Sequence, residues 1–152
     1  MLIGEIQDVG IIKSLSDLGY RLEIPLSVYG EIKYQFADFK KLVEGGFVNV
    51  LEEVHSKIFL QLKDRYPQLG NGEIEVLAHG LHYSRNDTTK YYCVLDDELS
   101  RKVAEETGVK YTGTLGLLNF MCKKQCFSQD EINELNNKLD NCRVPDEYRL
   151  PF

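Results

Sequence analysis

Several features that would fix a function at once are missing from this chain. No C-x-x-C pair occurs among its four cysteines, Cys93, Cys122, Cys126 and Cys142. Cys122 and Cys126 stand four apart in a stretch of helical character and share a face, but a zinc site there would need two more ligands from a distance. The spacing reads as free thiols of a reducing compartment. Met1 is followed by Leu-Ile-Gly-Glu without a basic segment, so no secretory leader is expected. No apolar run approaches the roughly 20 residues of a membrane span. Both absences point to a cytoplasmic protein with no membrane partner. Excess positive charge is missing too: 18 Lys and Arg face 24 Asp and Glu, giving a net charge of -6 and a pI near 5.1. Such a chain does not coat nucleic acid by bulk charge, although it can grip a few phosphates locally. Gly70 and Gly72 lack the following Lys-Ser/Thr of a phosphate loop. His79 and His82, three apart, lack the carboxylate of an H-E-x-x-H metal site, and His55 reads as a helix-start residue. There is no internal repeat and no low-complexity segment.

What is present is an ordinary globular composition. The 152 residues are 43% hydrophobic, which suits a single domain that buries its own core. A domain of this size removes roughly 70% of its unfolded surface from water. The pattern predicts strands at Tyr20–Ile24, Phe47–Leu51, Tyr91–Leu95 and Val109–Tyr111. It predicts helices at Ser27–Tyr34, Phe36–Val43, His55–Tyr66, Glu73–Tyr83, Asp97–Thr107 and Thr114–Lys124. Gly45-Gly46 and Gly108 are the stop signals, and Arg85-Asn86-Asp87 reads as a loop. Ser128 and Glu131 form a capping box for a last helix running to about Asn141, with a tail over Arg143–Phe152. Residues 1–18 admit two readings. The stripe Ile6, Val9, Ile12, Leu15 and Leu18 suits one helix, while Leu2–Gln7 suits a short strand ending at Asp8, with a short helix from Ile11. Strands alternating with helices give an α/β domain with a mostly parallel sheet, whose ligands gather at the carboxyl ends of the strands.

Acidic residues sit at the edges of these elements. Phosphodiester hydrolysis needs a nucleophilic water and charge stabilisation on an anionic phosphate, and clustered carboxylates holding a hard cation can provide both. The candidates are Glu31, Glu73 and Asp97, with Asp96 beside the last. Each also has a plain structural reading. Glu31 suits a solvated face, Glu73 suits the positive end of a helix, and Asp96 suits a helix N-cap. Spacing alone stops at an α/β domain.

The motifs go further. L-G-N-G-E-I-E-V-L-A, then V-L-D-D-E-L-S-R-K-V-A-E-E-T-G-V-K-Y-T-G-T-L-G-L-L, resembles the PIN-domain family, in particular its predicted nuclease branch with G-E-x-E-A-I-x-L-A and D-D-x-x-A-R-x-x-A. The earlier I-P-L-S-V-Y-G-E-I resembles the family's I-P-x-x-V-x-x-E-L, so the likeness spans about Leu22 to Leu118. It implies a three-layer α/β/α domain and a Mg²⁺- or Mn²⁺-dependent ribonuclease, often the toxin of a toxin–antitoxin pair. RNA, an antitoxin protein and a second copy of the chain are the implied partners. Carried over by position, Glu31, Glu73 and Asp97 are the catalytic acids, and Asp96 is an alternative or auxiliary metal ligand. Arg101 and Lys102, a turn beyond the aspartates, would contact phosphate, and Thr112 or Thr114 would position water or phosphate. The family's first strand ends in an aspartate. Here I-Q-D-V-G-I-I puts Asp8 in that frame, while the other alignment makes Gly4–Leu18 the first helix and places the strand upstream of Met1. The second alignment removes a ligand and implies a catalytically impaired scaffold that binds RNA or protein.

Overall fold

In a computed structural model, which describes residues 6–86, 90–142 and 150, the first helix starts at a side-chain cap. Asp8 Oδ1 accepts from the backbone N–H groups of Gly10 at 2.9 Å and Ile11 at 3.4 Å. Two of the donors that a helix start leaves unpaired are satisfied in this way. Helix α1 spans Val9–Asp17. Gln7, at a φ of 52°, separates the helical Ile6 from α1, so the stripe does not form one continuous helix, and α1 begins slightly earlier than the Ile11 of the other reading. Of the strand expected over Leu2–Gln7, Ile6 is helical and Gln7 left-handed, and residues 2–5 lie outside the described residues.

The remaining elements are β1 (Leu22–Pro25), α2 (Leu26–Gln35), α3 (Phe39–Glu44), β2 (Val48–Leu51), α4 (Ser56–Arg65), α5 (Asn71–Asn86), β3 (Cys93–Val94), α6 (Glu98–Thr107), β4 (Tyr111–Thr112), α7 (Thr114–Lys123) and α8 (Gln129–Asn141). The class is α/β, as the alternation of elements predicts. The described strands pair two by two, β1 with β2 and β3 with β4. No described helix is long and apolar enough to cross a membrane. Backbone contacts divide the chain into two units, Met1–Leu22 with Ile32–Val48 and Thr114–Phe152, and Glu23–Glu31 with Asn49–Gly113.

In the first unit α1 buries Ile11, Ile12 and Leu15 and packs on α3, which buries Phe39 and Leu42. Helix α8 begins with the capping box read from the sequence. Ser128 Oγ accepts from the Glu131 N–H, and the Glu131 carboxylate accepts from the Ser128 N–H at 2.7 Å. That backbone bond holds the Glu131 carboxyl below its ordinary range. Ile132, Leu135 and Leu139 form the buried face of α8, and the buried Asn136 side chain exchanges two hydrogen bonds with the Leu150 backbone. The rest of the tail read at Arg143–Phe152 lies outside the described residues.

The second unit is built around α5. Its Ile74, Leu77 and Ala78 are buried against Leu62 of α4, Cys93 and Leu95 around β3, and Val103 and Ala104 of α6. Strands β3 and β4 run parallel with Cys93 opposite Tyr111 and Val94 opposite Thr112. Flanking bonds from Cys93 N to Lys110 O (2.9 Å) and from Leu95 N to Thr112 O (2.8 Å) extend the ladder. The five-residue apolar run at 91–95 forms only this short strand because its partner is brief. Gly108, left-handed at φ 77°, closes α6 just before β4, and α7 begins at Thr114 just after it. Arg85 and Asn86, expected in a loop, form the last turn of α5, where the Asn86 side chain donates to His82 O at 2.9 Å.

Gly80, in the middle of α5, marks where that helix lies tightest on the sheet. A Cβ there would fall 2.7 Å from Cys93 Sγ and 2.8 Å from Val109 Cγ1. On an exposed helix face, alanine in place of glycine gains about 1 kcal/mol. Here overpacking costs about 1–3 kcal/mol and reverses the sign. Denaturant unfolding of Gly80→Ala should therefore show lower stability than the wild type; a more stable variant would mean that α5 stands further from β3.

Candidate carboxylate site

Helices α2 and α5, which carry Glu31 and Glu73, touch near their N-terminal ends. Ser27 Oγ donates to Glu75 Oε2 at 2.8 Å, and Gly72 lies so close to Val28 that a Cβ on it would sit 3.0 Å from Val28 Cγ2. The small residue at 72 thus serves close helix packing. Glu73 is half-buried in the first turn of α5, where a carboxylate favours the helix dipole, and its side chain folds back over Gly70. Glu31 is exposed on α2. All these residues belong to the second unit.

Asp96 and Asp97 leave the carboxyl end of β3, also in the second unit. The N-cap of α6 is Asp97, not Asp96. Asp97 Oδ2 accepts from the Ser100 backbone N–H at 2.8 Å and from Ser100 Oγ at 2.9 Å. Either acid of a D-D pair satisfies the cap pattern, and the choice falls to the residue three before the donating amide. Asp96 is half-buried in the connection, and Asp97 is exposed.

Asp8 belongs to the first unit, and both its oxygens are engaged there. Oδ1 caps α1, and Oδ2 takes the Lys138 ammonium of α8 at 2.7 Å. Arg101 is half-buried. Its Nε donates to Leu95 O at 2.8 Å, and its guanidinium lies over Gly113, where a Cβ would fall 2.5 Å away. That arm bridges the carboxyl ends of β3 and β4. Lys102 is exposed and pairs with Glu98 one turn earlier at 3.1 Å. Thr114 is wholly buried at the start of α7, and Thr112, half-buried, ends β4.

Among the described residues, no three of the His, Cys, Asp and Glu side chains come together closely enough to hold a metal ion. The four cysteines are free, and burial pushes the Cys93 thiol up to about 12. A cavity of about 270 Å³ lies between α4, α5 and α6, with Ile58, Leu62 and Leu81 on its apolar wall. Arg65 and Arg85 at its rim occupy the last turns of α4 and α5, where a cation complements the negative helix end. None of the candidate acids lines it. Sequence reading did not single out the pairing of Glu75 with Ser27 or of Glu23 with the Tyr83 hydroxyl. The partners lie far apart in the chain, and no local spacing announces them.

An α/β chain with acids at the carboxyl end of a parallel strand pair and at adjoining helix starts has the framework of a nuclease-type fold. Comparison with protein families gives the same answer: a family model for a PIN domain matches residues 2–149, and the chain belongs to the PIN-domain family. No curated protein and no solved structure matches it significantly.

Proposed function

We propose that this chain acts on RNA as a PIN-type ribonuclease, with Glu31, Glu73 and Asp97 as its hydrolytic carboxylates and Asp96 beside them. What carries the reading is that these four acids lie in one unit, with Glu73 in the first turn of α5, which packs on β3, and Asp96 and Asp97 following β3, within a chain of this family. A role as the toxin of a toxin–antitoxin pair, with an antitoxin protein and a second copy of the chain as partners, is part of the same proposal. So is a cytoplasmic site of action.

PIN domains generally use divalent ions, and Mg²⁺ or Mn²⁺ would activate water and neutralise phosphate charge. The described residues do not fit such an ion as they stand, because no three candidate ligands converge. The acids therefore enter the proposal through their own chemistry, as carboxylates that can accept a proton from water. Of the basic candidates, Arg101 lies at the strand ends, bonded to Leu95 O, and in this reading its guanidinium contacts the phosphate. Lys102 reaches one only by leaving Glu98, at little cost for an exposed pair. A second reading, a catalytically impaired module that binds RNA or protein, is favoured by one observation: Asp97 Oδ2 is already closed by two hydrogen bonds from Ser100.

Calorimetry with Mn²⁺ and cleavage of single-stranded RNA, on the chain and on Glu73→Gln, separate the two readings. The ribonuclease reading expects Mn²⁺ binding and cleavage that the variant loses. RNA binding with identical Mn²⁺ heats and no cleavage in either protein would establish the scaffold reading instead.

A further inference from the structure

All three histidines of the chain meet in the second unit. His55 occupies the N-cap position of α4, and its side chain makes no capping hydrogen bond. His79 and His82 lie one turn apart on α5. The His55 ring stacks on His82, with centroids 3.9 Å and planes 15° apart, and meets His79 edge-on at 4.7 Å. His79 is only 7% exposed. The Asn86 amide lies within 3.2 Å of the His82 ring nitrogens.

Near-parallel stacked rings do not aim their lone pairs at one point, so the arrangement is not that of a metal site. It suits neutral imidazoles. A proton on either stacked ring repels a proton on the other, and a cation at His55 also opposes the positive N-terminal end of α4. The charged groups that face the cluster are Glu53, before α4, with Oε1 4.0 Å from His55 Nδ1, together with Glu75 on α5 and Glu23 on β1. These acids favour protonation, but burial outweighs them. Burial, and then the neighbouring imidazole, hold both His55 and His79 below the ordinary 6.5.

We propose that His55, His79 and His82 form an acid-released latch, which clips the β2–α4 corner to α5 while the rings are neutral and opens when they take up protons. The latch stands independently of the ribonuclease reading. Its direction follows from linkage. The unfolded chain protonates His55 and His79 near pH 6.5, the folded chain only lower, so across that interval the unfolded chain holds more protons. The latch's stability is complete above the unfolded value and is lost as pH falls through the folded values.

The test is an NMR titration of the three ring C–H signals from about pH 8 to about pH 5, with thermal unfolding alongside. It uses the wild type and His55→Phe, which keeps a ring in the stack but no titrating nitrogen. In the wild type the His55 and His79 signals should move below the free-imidazole range. Amide protection in the first turn of α4 should be lost over the same interval. The melting temperature should fall with acid more steeply than in His55→Phe. Rings that titrate independently at the free-imidazole value, or parallel melting profiles in the two proteins, would overturn the latch. If His55→Phe does not fold, His82→Gln takes its place, and the wild-type titration decides alone.

Discussion

Truncating Leu77 to alanine is expected to destabilise the chain by about 2–5 kcal/mol, a large part of the stability of a domain of this size. Leu77 is fully buried in the middle of α5, packed in the core that α4, β3 and α6 share. Its removal loses the transfer free energy of the side chain and leaves a cavity that a tightly packed neighbourhood cannot fill. Relaxation is limited on one side by Gly80, where helix and sheet already lie at contact distance. The melting temperature should drop by roughly 4–20 °C, since about 1 kcal/mol corresponds to 2–4 °C at this length. A drop of less than about 2 °C would mean that α5 is not the organising helix of the second unit. The exposed Leu60 of α4 supplies the control, because its truncation leaves no cavity.

Leu77 also shows what the sequence could reveal. Ile74, Leu77 and Ala78 repeat at helical spacing between a glycine turn and a polar stretch, and all three are buried. The Ser128–Glu131 box and the Gly108 stop were equally readable, because a cap is decided within four or five residues. Strand lengths were less readable. Tyr91–Leu95 is apolar throughout, but ladder length belongs to a pair, and β4 has only the space between Gly108 and Thr114. The acids showed the same division. Their order along the chain identified the family, whereas their distances depend on how α2, α5 and the β3–α6 connection settle on one another. The histidines are the clearest case. His79 and His82 invited a metal reading and His55 a helix start. That His55 stacks on His82 follows only from the packing of α4 on α5.

Asp97 gives the other large expected effect, because capping and hydrolysis make opposite demands on its replacements. An Asp97→Asn variant would keep an oxygen where Oδ2 now accepts from the Ser100 N–H and Oγ, and asparagine caps helices about as well as aspartate. Stability should change by only a few tenths of a kcal/mol. Asp97→Ala removes the acceptor and should cost about 0.5–2 kcal/mol. Both remove the charge. If Asp97 is a hydrolytic carboxylate, RNA cleavage should fall by at least about 100-fold in both variants, although only one of them is destabilised. If Asp97 serves only to start α6, cleavage should follow folding: intact in Asp97→Asn, and reduced in Asp97→Ala only by its unfolded fraction. Parallel measurement of unfolding and cleavage on the two variants therefore assigns the residue, because no purely structural role predicts a folded, capped and inactive asparagine variant.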